Sequence, residues 1–208
     1  QVLKNLGLGA GYVIAAPAVF NILQSCKSEP KSDWEPVFMN AANGYALTQV
    51  LDVILPKTDT PGASELNIAQ FIDSYMDEVA GDKQREEFKA GANAFALSFK
   101  ENFDKELEDG DAEDFEQAVA KYLGADEETR NGYLKRISET QDPEAPEADF
   151  DAHAGSYAYL NAVRDLGIWA WKNSEAVGEN VLWYDPIPGA YLGCISTEEA
   201  GGGKTMSL

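Results

Sequence analysis

The chain reads as an all-α protein: a compact helical bundle with an N-terminal signal or anchor helix and an extended, irregular C-terminal tail. Three observations predict this. Apolar residues recur every three or four positions in successive segments between residues 37 and 171. No run alternates with the period of two that marks a half-buried strand. Asp, Asn, Gly or Pro bounds nearly every periodic segment, at positions where helices start and stop. The expected organisation is a signal or anchor over 1–26, a tether over 27–35, a helical domain over 36–172 and a tail over 173–208.

The N-terminal segment carries the first functional signal. Leu6 to Leu23 is an apolar run interrupted only by Asn21, with Lys4 before it and Cys26 just after it. That is the order of a bacterial export signal. Gln1-Val2-Leu3-Lys4 resembles the tail of a twin-arginine motif, whose arginine pair would lie before Gln1. Leu23-Gln24-Ser25-Cys26 resembles a lipobox, which makes Cys26 the candidate for lipidation. Each buried lipid CH₂ would add about 0.8 kcal/mol of membrane affinity. About 20 apolar residues can also span a bilayer, so the segment is expected to be a retained anchor, either a spanning helix or a segment held in a partner's groove, on the periplasmic side of a bacterial membrane. Residues 27–35 are polar and read as a spacer between anchor and body.

Six helices are then expected. In the first, Val37, Ala41, Tyr45, Val50 and Ile54 share a face widened by Phe38, Leu47 and Leu51, and Pro56 ends it. Lys57 to Ala63 is a loop of turn-forming residues. The second starts after Asn67 and turns Ile68, Phe71, Ile72, Tyr75 and Val79 inward, with its break at Gly81-Asp82. The third carries an aromatic stripe, Phe88, Phe95, Phe99 and Phe103, with Ala92; at helical spacing this is core. Asp111 caps the fourth, with Phe115, Val119 and Tyr122 inward, and Asp126 caps the fifth, with Tyr133, Leu134 and Ile137. An acidic, proline-bearing loop over 139–151 precedes the last long helix, from about His153 to Trp171, with Tyr157, Leu160, Val163, Leu166 and Trp169 as its core face.

Composition narrows the function classes. An apolar content of 44% is enough to build a core, and a net charge of −20 opposes nucleic-acid phosphate. Attachment to anionic lipid would therefore fall to the N-terminus. Gly7-Leu8-Gly9-Ala10-Gly11-Tyr12 lacks the third glycine and the strand context of a dinucleotide fingerprint. An EF-hand aligned on Gly110 and Glu116 would place Lys105 and Leu107 at ligand positions, so it fails. His153 is the single histidine and reads as a helix-terminal residue; no G-x-S-x-G occurs. No catalytic residue, cofactor site or metal site is expected in this chain. With Cys26 lipidated, Cys194 is left alone and is expected buried, or failing that bonded to another chain.

Two blocks carry a resemblance: Ile54-Leu55-Pro56-Lys57-Thr58-Asp59-Thr60-Pro61-Gly62-Ala63 with Phe71-Ile72-Asp73, and Tyr184-Asp185-Pro186-Ile187-Pro188-Gly189-Ala190-Tyr191-Leu192-Gly193-Cys194. Together they resemble the gluconate 2-dehydrogenase subunit 3 family. The acidic 142–151 loop and the longer tail after Cys194 depart from its pattern. The resemblance implies a small helical subunit without flavin. Its partner would be an FAD-dependent flavoprotein of the glucose-methanol-choline type that oxidises a sugar or sugar acid, with a c-type cytochrome and its haem c as electron acceptor. The small subunit would supply export signal, anchor and stabilisation. The docking residues are then expected in the loop (Thr58, Asp59, Thr60, Pro61, Gly62) and the tail (Trp183, Tyr184, Pro186, Pro188, Tyr191, Cys194). The tail's prolines would lower the entropy lost on docking, and its aromatics would anchor it. An alternative is a stand-alone anchored lipoprotein that binds carbohydrate by stacking on Trp169, Trp171, Trp183 and Tyr184.

Overall fold

In the computed structural model the described residues are 34–141, 151–185, 187, 189 and 193–207. The proposed anchor, Cys26, most of the tether and the acidic loop lie outside them. Eight α-helices appear among the described residues: α1 (Ala41–Ile54), α2 (Ile68–Glu78), α3 (Asp82–Phe103), α4 (Ala112–Leu123), α5 (Glu127–Gln141), α6 (Ala152–Lys172), α7 (Glu175–Asn180) and α8 (Thr197–Gly201). Two 3₁₀ turns, Ser64–Leu66 and Leu107–Asp109, join them, and the only β pairing among these residues is one isolated bridge between Trp183 and Met206. The class is all-α. None of the described helices is long and apolar enough to cross a membrane.

Helix α6 is the hub, packing against each of α1 to α5 and against α7. Its main partner is α3. Phe88, Phe95 and Phe99 of the aromatic stripe are buried, and Tyr159 of α6 meets the Phe88 ring edge-on at 5.1 Å. Phe99 stacks on Phe115 of α4 at 4.8 Å, which extends the same core to α4. Where α3 and α6 cross, the buried Ser98 and Ser156 hydroxyls bond each other at 2.8 Å.

The caps bear out the expected starts of α4 and α5. The Asp111 carboxylate accepts the Glu113 and Asp114 N–H groups, and Asp114 returns a bond to the Asp111 N–H, a complete capping box. Asp126 accepts the Thr129 N–H at 2.8 Å. The backbone N–H of Asp114 holds the Asp111 carboxyl below its usual range, as does Lys105 nearby. A lowered native pKa contributes stability that is present above the unfolded value of about 4 and is lost as pH falls through the native value. Asp111→Asn keeps a capping oxygen but removes the titration. It should flatten the acid limb of a urea-midpoint profile below about pH 4 relative to the parent.

Several expected inward positions turn out otherwise. Helix α1 begins after Asn40, whose side chain accepts the Asn43 N–H, not directly after Pro36. Val37, ahead of the helix, is therefore exposed, while Phe38 and Met39 are buried. Asn67 precedes α2 in the left-handed region, with φ 52° and no side-chain cap. On α2 the buried face is Ile68, Ala69, Ile72, Asp73 and Met76; Phe71 and Val79 are exposed and Tyr75 is half-buried. Leu134 and Trp169 are likewise exposed. Trp34, assigned to the tether, already packs on the core.

The rotation of α2 has one cause. Asp73 is fully buried and accepts the backbone N–H groups of three consecutive residues ahead of α1. Val37 donates to Oδ2 at 2.7 Å, Met39 to Oδ1 at 3.0 Å, and Phe38 to both at 3.2 and 3.3 Å. Charge-assisted bonds of this kind are about twice as strong as neutral ones. They fix the chain's entry into the bundle, which Phe38 reinforces by lying under Lys89 at 4.3 Å.

Candidate partner-docking site

The first expected docking element, the Pro56–Ala63 loop, is closed and stiff. Ala63 N–H donates to the Leu55 carbonyl at 2.9 Å, which shuts its neck, and Thr58 N–H donates to the Thr60 carbonyl at 3.1 Å across its tip. Three side chains brace it from outside. Asp52 of α1 accepts the Ser64 N–H and hydroxyl at 3.1 and 2.7 Å. Glu65 pairs with Lys57 and accepts the Gly62 N–H at 3.2 Å. The bond from Lys57, then that from Gly62, holds the Glu65 carboxyl below its usual range. Trp171 of α6 donates its indole N–H to the Pro61 carbonyl at 2.8 Å, across 110 residues of sequence.

Gly62 is buried at the neck. A Cβ there would lie 2.7 Å from the Lys57 nitrogen and 3.2 Å from the Leu55 oxygen. Both are backbone atoms, so only glycine fits without opening the loop. Thr58 and Asp59 are exposed at the tip, and Thr60 and Pro61 are half-buried.

Two residues before Trp171, α6 presents Trp169. It meets Phe71 and Tyr75 of α2 at centroid distances of 5.6 and 5.9 Å, and the latter two stack at 6.3 Å. Phe71 and Trp169 are 43% and 47% exposed, so this is an aromatic cluster on the surface, not part of the core. The exposed Ile168 adjoins it in sequence. The last turns of α6 thus hold both a rigid loop and an aromatic face. Sequence periodicity counted Phe71 and Trp169 as core; only the alternative carbohydrate reading treated Trp169 as accessible, and none treated Phe71 so. Trp171 was missed as a brace because its partner is a backbone carbonyl 110 residues away, and Asp52 and Glu65 because nothing in the sequence ties their carboxylates to the Ser64, Lys57 and Gly62 donors.

The second expected element, the tail, leaves α6 through α7. Its described residues, expected to be extended and irregular, include the short helices α7 and α8 and pair back on Trp183. Trp183 N–H donates to the Thr205 carbonyl at 2.9 Å, and Ser207 N–H donates to the Trp183 carbonyl at 2.7 Å. Trp183 is half-buried; Tyr184 and Ile187 are exposed. Cys194, expected buried, is an exposed free thiol, because no helix places it on an inner face. Pro186, Pro188 and Tyr191 lie outside the described residues. Among the described residues no hydrogen bond joins the loop to the tail.

Other chemistry is sparse. His153 sits in the first turn of α6, where its Nδ1 meets the buried Tyr122 hydroxyl at 2.7 Å and its Nε2 lies 3.5 Å from Glu101. Among the described residues no three His, Cys, Asp or Glu side chains are grouped to hold a metal ion. Of the four aromatics considered for sugar stacking, Trp171 has its N–H committed to Pro61 and Trp183 has its ring against Gly201. A mostly apolar cavity of about 430 Å³ lies between α3 and α6, with Phe88, Gly91, Tyr159 and Leu166 among its lining.

Residues 41–189 match the family described as Gluconate 2-dehydrogenase subunit 3. No curated protein and no solved structure shows significant similarity to the chain.

Proposed function

Since the chain belongs to the gluconate 2-dehydrogenase subunit 3 family, small subunits of dehydrogenase complexes, we propose that it holds and stabilises an exported FAD-dependent flavoprotein without doing chemistry itself. The flavoprotein is of the glucose-methanol-choline type and oxidises a sugar or sugar acid. The N-terminal segment supplies the export signal and the attachment to the periplasmic face of a bacterial membrane. A c-type cytochrome is the complex's outlet for electrons.

The observation that carries this reading is the pairing of a braced loop with an exposed aromatic cluster at one end of α6. A rigid surface loses little entropy on docking, and aromatic side chains are enriched among the residues that dominate interface energy.

Expressing the flavoprotein with and without this chain, then assaying periplasmic dye-linked dehydrogenase activity, tests the proposal. Activity should fall at least about tenfold without the chain; undiminished export and activity would overturn it. Trp169→Ala in the purified complex should weaken subunit affinity by about 30-fold, the effect of losing about 2 kcal/mol at a hot spot. An unchanged affinity would remove the aromatic cluster from the interface.

A further inference from the structure

The residues after Cys194 look like low-complexity sequence, yet they form a built element. Ser196 and Glu199 make a capping box: the Ser196 hydroxyl accepts the Glu199 N–H at 3.2 Å, and the Glu199 carboxylate accepts the Ser196 N–H at 3.2 Å. At the other end of α8, Gly202 and Gly203 both take positive φ, 62° and 75°. Their N–H groups donate to the Glu198 and Thr197 carbonyls at 2.9 and 3.1 Å. A five-residue helix is too short to persist on propensity alone. This one is closed at both ends, and its last residue, Gly201, lies against the Trp183 ring; a Cβ there would come within 2.5 Å of the indole.

From α8 the chain returns to pair residues 205 and 207 with Trp183 through one bond in each direction. Ser207 also reaches α7, where its hydroxyl would meet a Cβ on Gly178 at 2.9 Å. Residues 196–207 lie beyond the matched family region, which ends at residue 189, whereas Trp183 and Gly178, which they contact, lie inside it.

We infer that residues 196–207 are a clasp that fixes Trp183, so that the exposed Tyr184 beside it is presented to the flavoprotein from a set position. The docking role rests on the function proposed above; the clasping itself does not. Trp183 is gripped on its backbone by residues 205–207 and on its ring by Gly201, so Tyr184, next in the chain, starts from a fixed point.

The test uses the full chain, a deletion of residues 196–208, and Gly201→Val, whose added side chain displaces the Trp183 ring from α8. In both variants, amide exchange at Trp183, whose N–H donates to the Thr205 carbonyl, should quicken at least tenfold while the amides of α3 and α6 keep their rates. Affinity for the flavoprotein that co-purifies with the full chain should fall about tenfold. Unchanged exchange at Trp183 in Gly201→Val would overturn the clasp. Faster exchange with unchanged affinity would overturn its positioning role. A full chain that captures no flavoprotein would refute the docking reading, and the exchange rates would still decide whether the clasp exists.

Discussion

Asp73→Ala should lower the stability of the bundle by about 3–5 kcal/mol, the range for breaking a buried charged interaction and leaving its partners unsatisfied. The carboxylate is fully buried and is the acceptor for three successive N–H groups at residues 37–39. Removing it strands the Phe38 and Met39 donors in the interior and leaves a cavity. With a urea dependence of about 2 kcal/mol/M, the unfolding midpoint should drop by roughly 2 M. Asp73→Asn keeps one acceptor oxygen but loses the charge and turns an NH₂ toward donors. It should lose about half as much. Amide exchange at Val37, Phe38 and Met39 should quicken in both variants. An alanine variant within about 1 kcal/mol of the parent would show that apolar packing of Phe38 and Met39 alone holds the entry segment.

Gly62→Val should carry the largest effect on partner binding. The added Cβ meets backbone at Lys57 and Leu55, so no side-chain rotation relieves it and the loop must open. The fold itself should lose about 1–3 kcal/mol. The larger consequence is that Thr58 and Asp59 leave their braced positions, and affinity for the flavoprotein should fall about 30-fold or more. Gly132→Ala on α5, where a Cβ meets no neighbouring atom within 4 Å, is the control and should leave affinity unchanged. Circular dichroism distinguishes a displaced loop from an unfolded bundle. Full affinity in Gly62→Val with helicity intact would take the loop out of the interface.

What the sequence made legible follows the range of the interactions involved. The Phe88, Phe95 and Phe99 stripe and the Asp111 cap are set within a turn or two of helix, and periodicity and cap chemistry found them. Helix α2 misled for the opposite reason. A pattern rule turns Asp73 outward and Phe71 inward, but the carboxylate finds its donors about 35 residues upstream and goes inside. The same distant pairing delays the start of α1 to Asn40. In the site, the motif loop was visible as a run of turn residues, whereas its attachment to Trp171 spans most of the bundle. The Ser196 capping box did carry a sequence signature, S-x-x-E, but without an apolar run behind it the signature is easily passed over.

The place of α6 in the chain has a consequence for biosynthesis. Every helix from α1 to α5 packs on it, yet it is encoded after all of them, at residues 152–172. At about 5–20 residues per second, the ribosome releases five helices whose α6-facing sides are uncovered roughly 2–6 seconds before the end of α6 is made, counting only the 31 residues from 142 to 172. The bundle therefore closes late. A nascent chain arrested short of residue 172 should be readily digested by protease, and one released at full length should resist.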